Sequence, residues 1–294
     1  MKQKTIAKPV EIKGIGLHSG KCIKLRLEPL GENSGIIFYR KDKGITIPLD
    51  PNNVVNTQLA TVIGKDGINI STIEHLLSAL YAFGIDNLRI IIDGDEIPIL
   101  DGSAIGFVML INEAGIQKLN ADKIIAVITK SVEVKKDDKF VRLEPYDGIM
   151  YDYTIYFDHP VIGKQQYIFN YSLHDYINEI SKARTFGFLK EVQYLKSIGL
   201  IQGGNIGNAI VLDENKILND NLRYPDEFVR HKILDAIGDL SLLNFFYVGK
   251  YTAYKGSHEL NNLLVKKVIE ENTFEFIKLN KNKNIERIVH ATAI

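Results

Sequence analysis

Apolar and polar residues alternate along much of the first part of the chain, in the pattern of half-buried β-strands. The clearest alternation covers residues 21–27, and residues 35–39 follow a similar pattern. Residues 88–93 contain three consecutive isoleucines, which favours a strand buried on both faces. The first part of the chain is therefore predicted to be rich in β-structure.

Two segments of this first part have helical character instead. Ser71 and Glu74 form an S-x-x-E capping box, which predicts a helix that begins there. The helix is expected to run to about Phe83, because Gly84 is a typical C-terminal stop. A second helix is predicted at about residues 105–114.

The second part of the chain repeats the order helix, strand, Gly-Ser-x, helix. This repetition predicts two tandem α+β units of similar build, joined near residues 117–123, with one cleft shared between them. The elements predicted for the second part are strands near residues 124–129, 140–143, 151–157, 165–169, 209–212 and 247–254, and helices near residues 174–182, 189–196, 231–240 and 258–268.

Composition narrows the class of protein. The chain has 294 residues, 45% of them hydrophobic, and a formal net charge of zero, so nothing in its charge predicts a nucleic-acid partner. Cys22 is the only cysteine, which excludes an internal disulfide and fits a reducing compartment. We find neither a signal peptide nor an apolar run of about 18 residues that would suggest a membrane span. A cytoplasmic location is predicted.

The helix around His231 carries the strongest candidate chemistry. His231 and Asp235 lie at i and i+4, so an imidazole and a carboxylate one turn apart could close on a divalent ion such as zinc. Asp239 lies about 12 Å along the axis from His231, too far to bind the same ion, and is more suited to orienting a second residue. The alternative is an amphipathic helix with a solvated acidic edge.

A third ligand and a base are available at the start of the first predicted helix, at His75 and Glu74. A hydrolytic zinc site needs three protein ligands and leaves the fourth position to water, and His75, His231 and Asp235 fit that number. Glu74 could take a proton from that water. It could equally be no more than the reciprocal partner of the capping box.

Further residues could complete an amide-cleaving site. His258 could protonate a leaving amine, with Asp239 holding its ring and raising its pKa. Thr185 could donate to a developing oxyanion, and Lys232 could neutralise a phosphate or the tetrahedral intermediate. Each has a simpler alternative: His258 or Thr185 could cap a helix, and Lys232 could be solvated.

Taken together, these segments resemble one family, the zinc-dependent UDP-3-O-acyl-N-acetylglucosamine deacetylases of lipid A biosynthesis. The similarity follows the family's order along the chain to about Val268. The segments that carry it are GIGLHSG at residues 14–20, TIEHLLSAL at 72–80, EIPILDGSA at 96–104, ARTFGF at 183–188, the glycines at 203–204, RYPDEFVRHKILDAIGDL at 223–240 and TAYKGSHEL at 252–260.

The resemblance implies an α+β fold of two tandem, similar two-layer sandwich domains, with helices packed between the sheets and the active site at the domain interface. The first domain is expected at residues 1–118 and the second at residues 124–270. A βαβ insert of the second domain, at about residues 188–212, would enclose a passage for an acyl chain. Residues 271–294 are expected to form an unconstrained tail.

The resemblance also assigns roles to single residues. It implies one Zn²⁺ per chain on His75, His231 and Asp235. The roles it implies for the catalytic side chains are general base for Glu74, general acid for His258, partner of that acid for Asp239, oxyanion donor for Thr185 and a position near the sugar diphosphate for Lys232. The residues it places at the substrate site or along the passage are His18, Phe186, Glu191, Leu195, Leu200, Ile201 and Gly204, with Ile206 and Ala209 as further apolar wall residues.

The implied reaction removes the N-acetyl group from UDP-3-O-acyl-N-acetylglucosamine, the committed step of lipid A, and hence lipopolysaccharide, synthesis in Gram-negative bacteria. Alternatives are a zinc deacetylase acting on another acylated sugar and a non-catalytic sugar-nucleotide binding protein with a structural zinc. We expect a monomer with no nucleic-acid partner, and transient contact with a membrane surface at most.

Overall fold

A computed structural model describes residues 1–277. The strands, in chain order, are β1 (Lys2–Ile6), β2 (Val10–Ile15), β3 (Cys22–Pro29), β4 (Ile36–Arg40), β5 (Ile45–Pro48), β6 (Val54–Asn56), β7 (Val62–Lys65), β8 (Ile68–Ile70), β9 (Leu88–Ile92), β10 (Ile116–Asp122), β11 (Ile125–Ile128), β12 (Val132–Lys136), β13 (Lys139–Glu144), β14 (Ile149–Tyr156), β15 (Lys164–Asn170), β16 (Phe186–Phe188), β17 (Ile210–Leu212), β18 (Phe246–Tyr254) and β19 (Phe274–Ile277). The helices are α1 (Glu74–Phe83), α2 (Ile105–Ala114), α3 (Leu173–Asp175), α4 (Leu189–Ser197), α5 (Glu227–Leu240) and α6 (His258–Glu270), with a π-helical turn at Tyr176–Ile180 and 3₁₀ turns at Pro51–Asn53 and Ser241–Leu243.

Two large sheets organise the described part of the chain. One has five strands in the order β2-β3-β9-β4-β5, and the other has seven strands with β18 paired to β11, β13 and β14. Each large sheet takes its strands from one half of the sequence. The predicted α+β class is confirmed, whereas the predicted domain boundaries stay a prediction.

Helices α1 and α5 pack against each other in the interior. Every residue of α1 is buried, as are all but two residues of α5, Arg230 and Lys232. Helix α1 is apolar on nearly all sides, which is expected of a helix with protein around it rather than solvent on one face. These two helices therefore form the centre of the structure, and their side chains meet away from bulk water.

The end of α1 agrees with the sequence prediction, but its start does not. Gly84 adopts a left-handed conformation and ends the helix after Phe83, as predicted. The predicted capping box is wrong: the helix begins at Glu74, no side chain caps it, and Ser71 forms a bridge with Glu96. Thr72 adopts a positive φ of 58°, so the chain turns sharply before the helix and Ser71 cannot act as its cap.

Three further elements bear on the predictions. Strands β16 and β17 are parallel and flank α4, which gives the βαβ unit expected near residues 188–212. Strand β19 pairs with β11, so the prediction of an unconstrained tail is wrong for Phe274–Ile277. The alternating Phe-Glu-Phe-Ile sequence fits a strand at the edge of the sheet, next to β11. Residues 278–294 of the predicted tail lie outside the described residues.

Strand β10 occupies the predicted connection between the two units and pairs with β1 at the start of the chain. None of the helices within residues 1–277 is long and apolar enough to cross a membrane.

We predict that Gly238→Ala destabilises the protein, because a β-carbon on this residue of α5 would overlap the backbone carbonyl of Glu74 on α1. Overpacking of this kind costs about 1–3 kcal/mol, which exceeds the roughly 1 kcal/mol that alanine gains over glycine inside a helix. Urea denaturation should show a lower free energy of unfolding. Gly31→Ala is the matched control, since nothing lies within 4 Å of a β-carbon there. Equal stability of Gly238→Ala and the wild type would contradict this account of the helix contact.

Candidate metal and catalytic site

Three buried side chains converge where α1 meets α5. The Nε2 atoms of His75 and His231 lie 3.5 Å and 3.3 Å from Oδ1 of Asp235. Ligands about 2 Å from a tetrahedral metal ion are separated by roughly 3.3 Å, so these distances suit one ion held by all three atoms. His75, His231 and Asp235 can therefore hold a metal ion between the two helices.

An unpaired carboxylate oxygen of Asp235 also indicates a cation at this position. Oδ1 of Asp235 is buried without a hydrogen-bond partner, whereas its Oδ2 accepts from Lys232 Nζ at 2.9 Å. A buried carboxylate oxygen with no partner is costly, and a metal ion would satisfy it. The three-residue set leaves room for a fourth ligand, as an open site requires.

The ionisation states fit metal binding. Burial lowers the pKa of His231 to about 3, although Asp235 opposes that shift, so the ring is neutral at physiological pH. Burial disfavours ionisation of Asp235, but His231 and Lys232 outweigh it and hold its pKa well below the usual range. A neutral imidazole and an ionised carboxylate are the forms that bind metal.

A backbone carbonyl orients one of these histidines. Nδ1 of His231 lies 3.0 Å from the carbonyl oxygen of Ala183, which turns Nε2 toward Asp235. The segment that follows Ala183 is tied down by a buried ion pair, in which Arg184 Nε donates to Glu227 at 2.8 Å. Glu227 lies one turn before His231 on α5, so the same helix supplies a candidate metal ligand and anchors the segment that orients it.

Thr185 lies in this anchored segment. Its backbone N–H donates to Gly102 at 2.8 Å, and its carbonyl accepts from Ile210 at 2.8 Å. Next to it, the ring of Phe186 packs edge-on against Phe228 at 5.0 Å and lies 6.4 Å from the His231 ring. Thr185 therefore has a fixed backbone close to the histidine that could bind a metal ion.

Glu74 is buried at the first position of α1, next to His75. Its Oε2 accepts from the backbone N–H of Thr61 at 3.1 Å, and its Oε1 lies 3.8 Å from His258 Nε2. Burial raises the pKa of the Glu74 carboxyl, and the charge of His258 works in the opposite direction. A carboxylate with a raised pKa beside a metal site is suited to proton transfer.

His258 faces Glu74 from the first position of α6. Ser257 caps that helix through Leu260, so capping does not account for the histidine. Its Nδ1 lies 2.7 Å from Oδ2 of Asp239. Burial lowers the pKa of His258, but the carboxylates of Asp239 and Glu74 outweigh it and raise the pKa to about 10. The ring is cationic at neutral pH and can donate a proton.

The turn at His18 is hydrogen-bonded to the βαβ unit. The carbonyl of His18 accepts from Gln202 at 3.0 Å, and the carbonyl of the preceding residue, Leu17, accepts from Gly203 at 3.0 Å. The buried carboxylate of Glu96 accepts from the backbone N–H of His18 at 2.9 Å and fixes this turn. Burial lowers the pKa of His18.

The remaining residues predicted to bind substrate lie on or after α4. No residue of α4 is fully buried, although several of its apolar residues are half-buried. Leu195, Leu200 and Ile201 are half-buried, Gly204 is buried, and Glu191 is exposed. Glu191 borders an open cavity of about 730 Å³ that the βαβ unit shares with Asp158 and His159.

Sequence reasoning missed three residues that hold this site together, namely Thr61, Glu96 and Glu227. Glu96 and Glu227 could have been singled out from the sequence, because they lie in the segments at residues 96–104 and 223–240 that carry the family resemblance. Thr61 could not, because a threonine beside a strand is ordinary.

Comparison with known proteins agrees with the family resemblance found in the sequence. Residues 3–270 match the model of a family described as UDP-3-O-acyl N-acetylglycosamine deacetylase. A UDP-3-O-acyl-N-acetylglucosamine deacetylase of Nautilia profundicola is 62% identical over 281 residues, covering 96% of either chain. The proteins of the same name from Nitratiruptor sp. and Aliarcobacter butzleri are 61% and 60% identical, covering 92% and 96% of this chain and 91% and 94% of their own lengths.

We predict that His258 titrates far above the ordinary histidine pKa of 6.5, at about 10, and that Asp239→Asn lowers this value by removing a negative charge. Ring ¹⁵N shifts followed by NMR between pH 5 and 11 would measure both. The folded pKa exceeds the unfolded one, so the stabilisation from this ring is complete below about pH 6.5 and is lost as pH rises through 10. A neutral His258 ring at pH 7 in the wild type would contradict the assignment.

Proposed function

Since the chain belongs to the UDP-3-O-acyl N-acetylglycosamine deacetylase family, we propose that it is a zinc-dependent hydrolase acting on UDP-3-O-acyl-N-acetylglucosamine. It would remove the N-acetyl group and release acetate and UDP-3-O-acyl-glucosamine, the committed step of lipid A biosynthesis. We further propose that it works in the cytoplasm as a monomer.

The observation that carries this proposal is the meeting of a three-residue metal site with two proton-transfer groups of opposite charge. Glu74 and His258 face each other across 3.8 Å, beside His75, His231 and Asp235. A structural zinc site usually has four protein ligands and no adjacent base. The arrangement therefore favours a hydrolase over a binding protein whose zinc is structural.

Zinc suits the donor set, because two imidazoles and one carboxylate with an open position are typical of hydrolytic zinc. When bound, the ion would act as a Lewis acid that favours ionisation of water and polarises the acetyl carbonyl. His75, His231 and Asp235 would hold it, and Lys232 would keep the second oxygen of Asp235 occupied.

The side chains would then divide the proton transfers between them. Glu74 takes a proton from the attacking water as its oxygen bonds to the acetyl carbon. Thr185 donates a hydrogen bond to the oxygen that becomes negative. His258, held cationic by Asp239, gives its proton to the sugar nitrogen as the C–N bond breaks, so that acetic acid and a neutral amine form, and the acid ionises to acetate on release.

The substrate would extend from this site in two directions. Lys232 lies at the edge of the metal site with its Nζ 5.5 Å from the Phe186 ring, so this pair could bind the sugar and diphosphate. His18 and Glu191 would contact the substrate nearby. The acyl chain would follow Leu195, Leu200, Ile201 and Gly204, since the three apolar side chains are only half-buried.

We predict that His231→Ala or Asp235→Ala lowers zinc affinity by more than about 100-fold. Changes in residues that only orient a ligand already cost roughly 10–100-fold, and loss of a ligand should cost more. Titration of metal-free protein with zinc against a competing chelator would measure this. His174→Ala, at an exposed histidine, is the matched control and should bind one zinc per chain as the wild type does. Unchanged affinity in both site variants would exclude this metal site.

We also predict that the purified protein releases acetate from UDP-3-O-acyl-N-acetylglucosamine, that chelation abolishes this activity and that one equivalent of zinc restores it. Glu74→Gln and His258→Gln should each lower kcat by roughly 10²–10⁴. Binding of the substrate without acetate release by zinc-replete protein would refute the hydrolase proposal. Faster cleavage of an acetylated sugar with a short acyl chain would favour a deacetylase of a different acylated sugar.

A further inference from the structure

Thr61 contacts Glu74 and Asp239, the proposed base and the partner of the proposed acid, and has no role in the mechanism above. It lies just before β7, and only 1% of its surface is exposed. Its backbone N–H donates to Oε2 of Glu74 at 3.1 Å, and its hydroxyl donates to Oδ1 of Asp239 at 2.6 Å. One residue therefore bonds to the proposed base and to the partner of the proposed acid.

These contacts complete a closed ring of polar groups. The second oxygen of Asp239, Oδ2, lies 2.7 Å from Nδ1 of His258, whose Nε2 in turn faces Oε1 of Glu74 at 3.8 Å. Thr61 closes the ring on the side opposite His258. Each carboxylate thus has one oxygen held by Thr61 and the other directed at the histidine.

We propose that Thr61 is a positioning residue, which holds the Asp239 carboxylate in the orientation that keeps His258 aligned opposite Glu74. The proposal rests on the proposed function for the roles of these groups. Without the hydroxyl, Oδ1 of Asp239 would be a buried, charged oxygen lacking a donor. The carboxylate would then be free to rotate toward another donor such as Asn261, which already bonds Oδ2 at 2.8 Å.

The position of Thr61 does not depend on its hydroxyl. Its carbonyl accepts from the N–H of Ile73 at the start of α1, at 3.5 Å, and its N–H bonds to Glu74. Leu59, two residues before Thr61, adopts a positive φ of 66°. The resulting turn sets the course of the backbone into Thr61. Replacing the side chain alone should therefore leave the backbone in place and remove one hydrogen bond.

The test compares Thr61→Val, which keeps the shape and removes the hydroxyl, with Thr61→Ser, which keeps the hydroxyl. Thr61→Val should lower kcat by roughly 10- to 100-fold, the range expected for losing a hydrogen bond to a charged group. KM should stay within about twofold, because Thr61 is not placed against the substrate. Thr61→Ser should restore most of kcat.

Thr5→Val is the matched control. Thr5 is also 1% exposed, and its hydroxyl donates to the carbonyl of Asn87 at 2.6 Å, within a different hydrogen-bond network. It should lose stability without losing kcat. An equal fall of kcat in Thr5→Val, an unchanged kcat in Thr61→Val, or a fall in Thr61→Ser as large as in Thr61→Val would overturn the proposal. So would a rise in KM without a fall in kcat.

A second readout does not need the deacetylation reaction. In proton NMR of the full chain, the Nδ1–H of His258 bonded to Asp239 should give a resonance far downfield. That resonance should be lost or shifted upfield in Thr61→Val and retained in Thr61→Ser and Thr5→Val. If the wild type failed to release acetate, the proposed function would fail, and this resonance would still decide the role of Thr61. An unchanged resonance in Thr61→Val would refute that role.

Discussion

The direct contact between α1 and α5 is the constraint on which the site depends. Because Gly238 has no side chain, the backbone of α5 can lie directly against the carbonyl of Glu74 on α1. A larger residue at this position would force the two helices apart. His75 comes from α1, and His231 and Asp235 come from α5, so the three candidate metal ligands meet where the two helices are in direct contact. At the far end of α1, Lys4 and Lys123 donate to the carbonyls of Phe83 and Gly84 and hold the helix in register.

This arrangement puts several charges into the interior, and they are stable there only as a set. The carboxylates of Glu74, Asp235 and Asp239 are all buried near one another. Lys232 and cationic His258 offset two of the three negative charges, and a divalent ion would more than offset the third. The same charges prepare the chemistry: the carboxylates keep His258 protonated, and burial keeps His231 neutral. Stability and reactivity of the site therefore have a common electrostatic origin.

The extent to which the sequence predicts the site follows from how local each contact is. His231 and Asp235 are one helical turn apart, so their spacing predicts that they share one metal ion. The end of α1 at Gly84 is predicted by an equally local signal. The capping box at Ser71 failed because the partner of Ser71 is Glu96, in a distant segment, which no local pattern shows. Thr61 is the extreme case: it bonds to Asp239, 178 residues away, and only the folded chain brings them together. The α+β class could be predicted because alternation and helical periodicity are local properties.

The two halves of the chain are linked at the proposed substrate passage as well as at the metal site. Glu96 fixes the turn at His18, and that turn accepts hydrogen bonds from Gln202 and Gly203 in the βαβ unit. Glu96 also accepts from the hydroxyl of Thr72, whose sharp turn directs the chain into Glu74 and α1. A single buried carboxylate is therefore bonded to the turn that contacts the βαβ unit and to Thr72, two residues before α1 begins. Glu96 therefore joins the turn that contacts the βαβ unit to the segment leading into α1, where the proposed base lies.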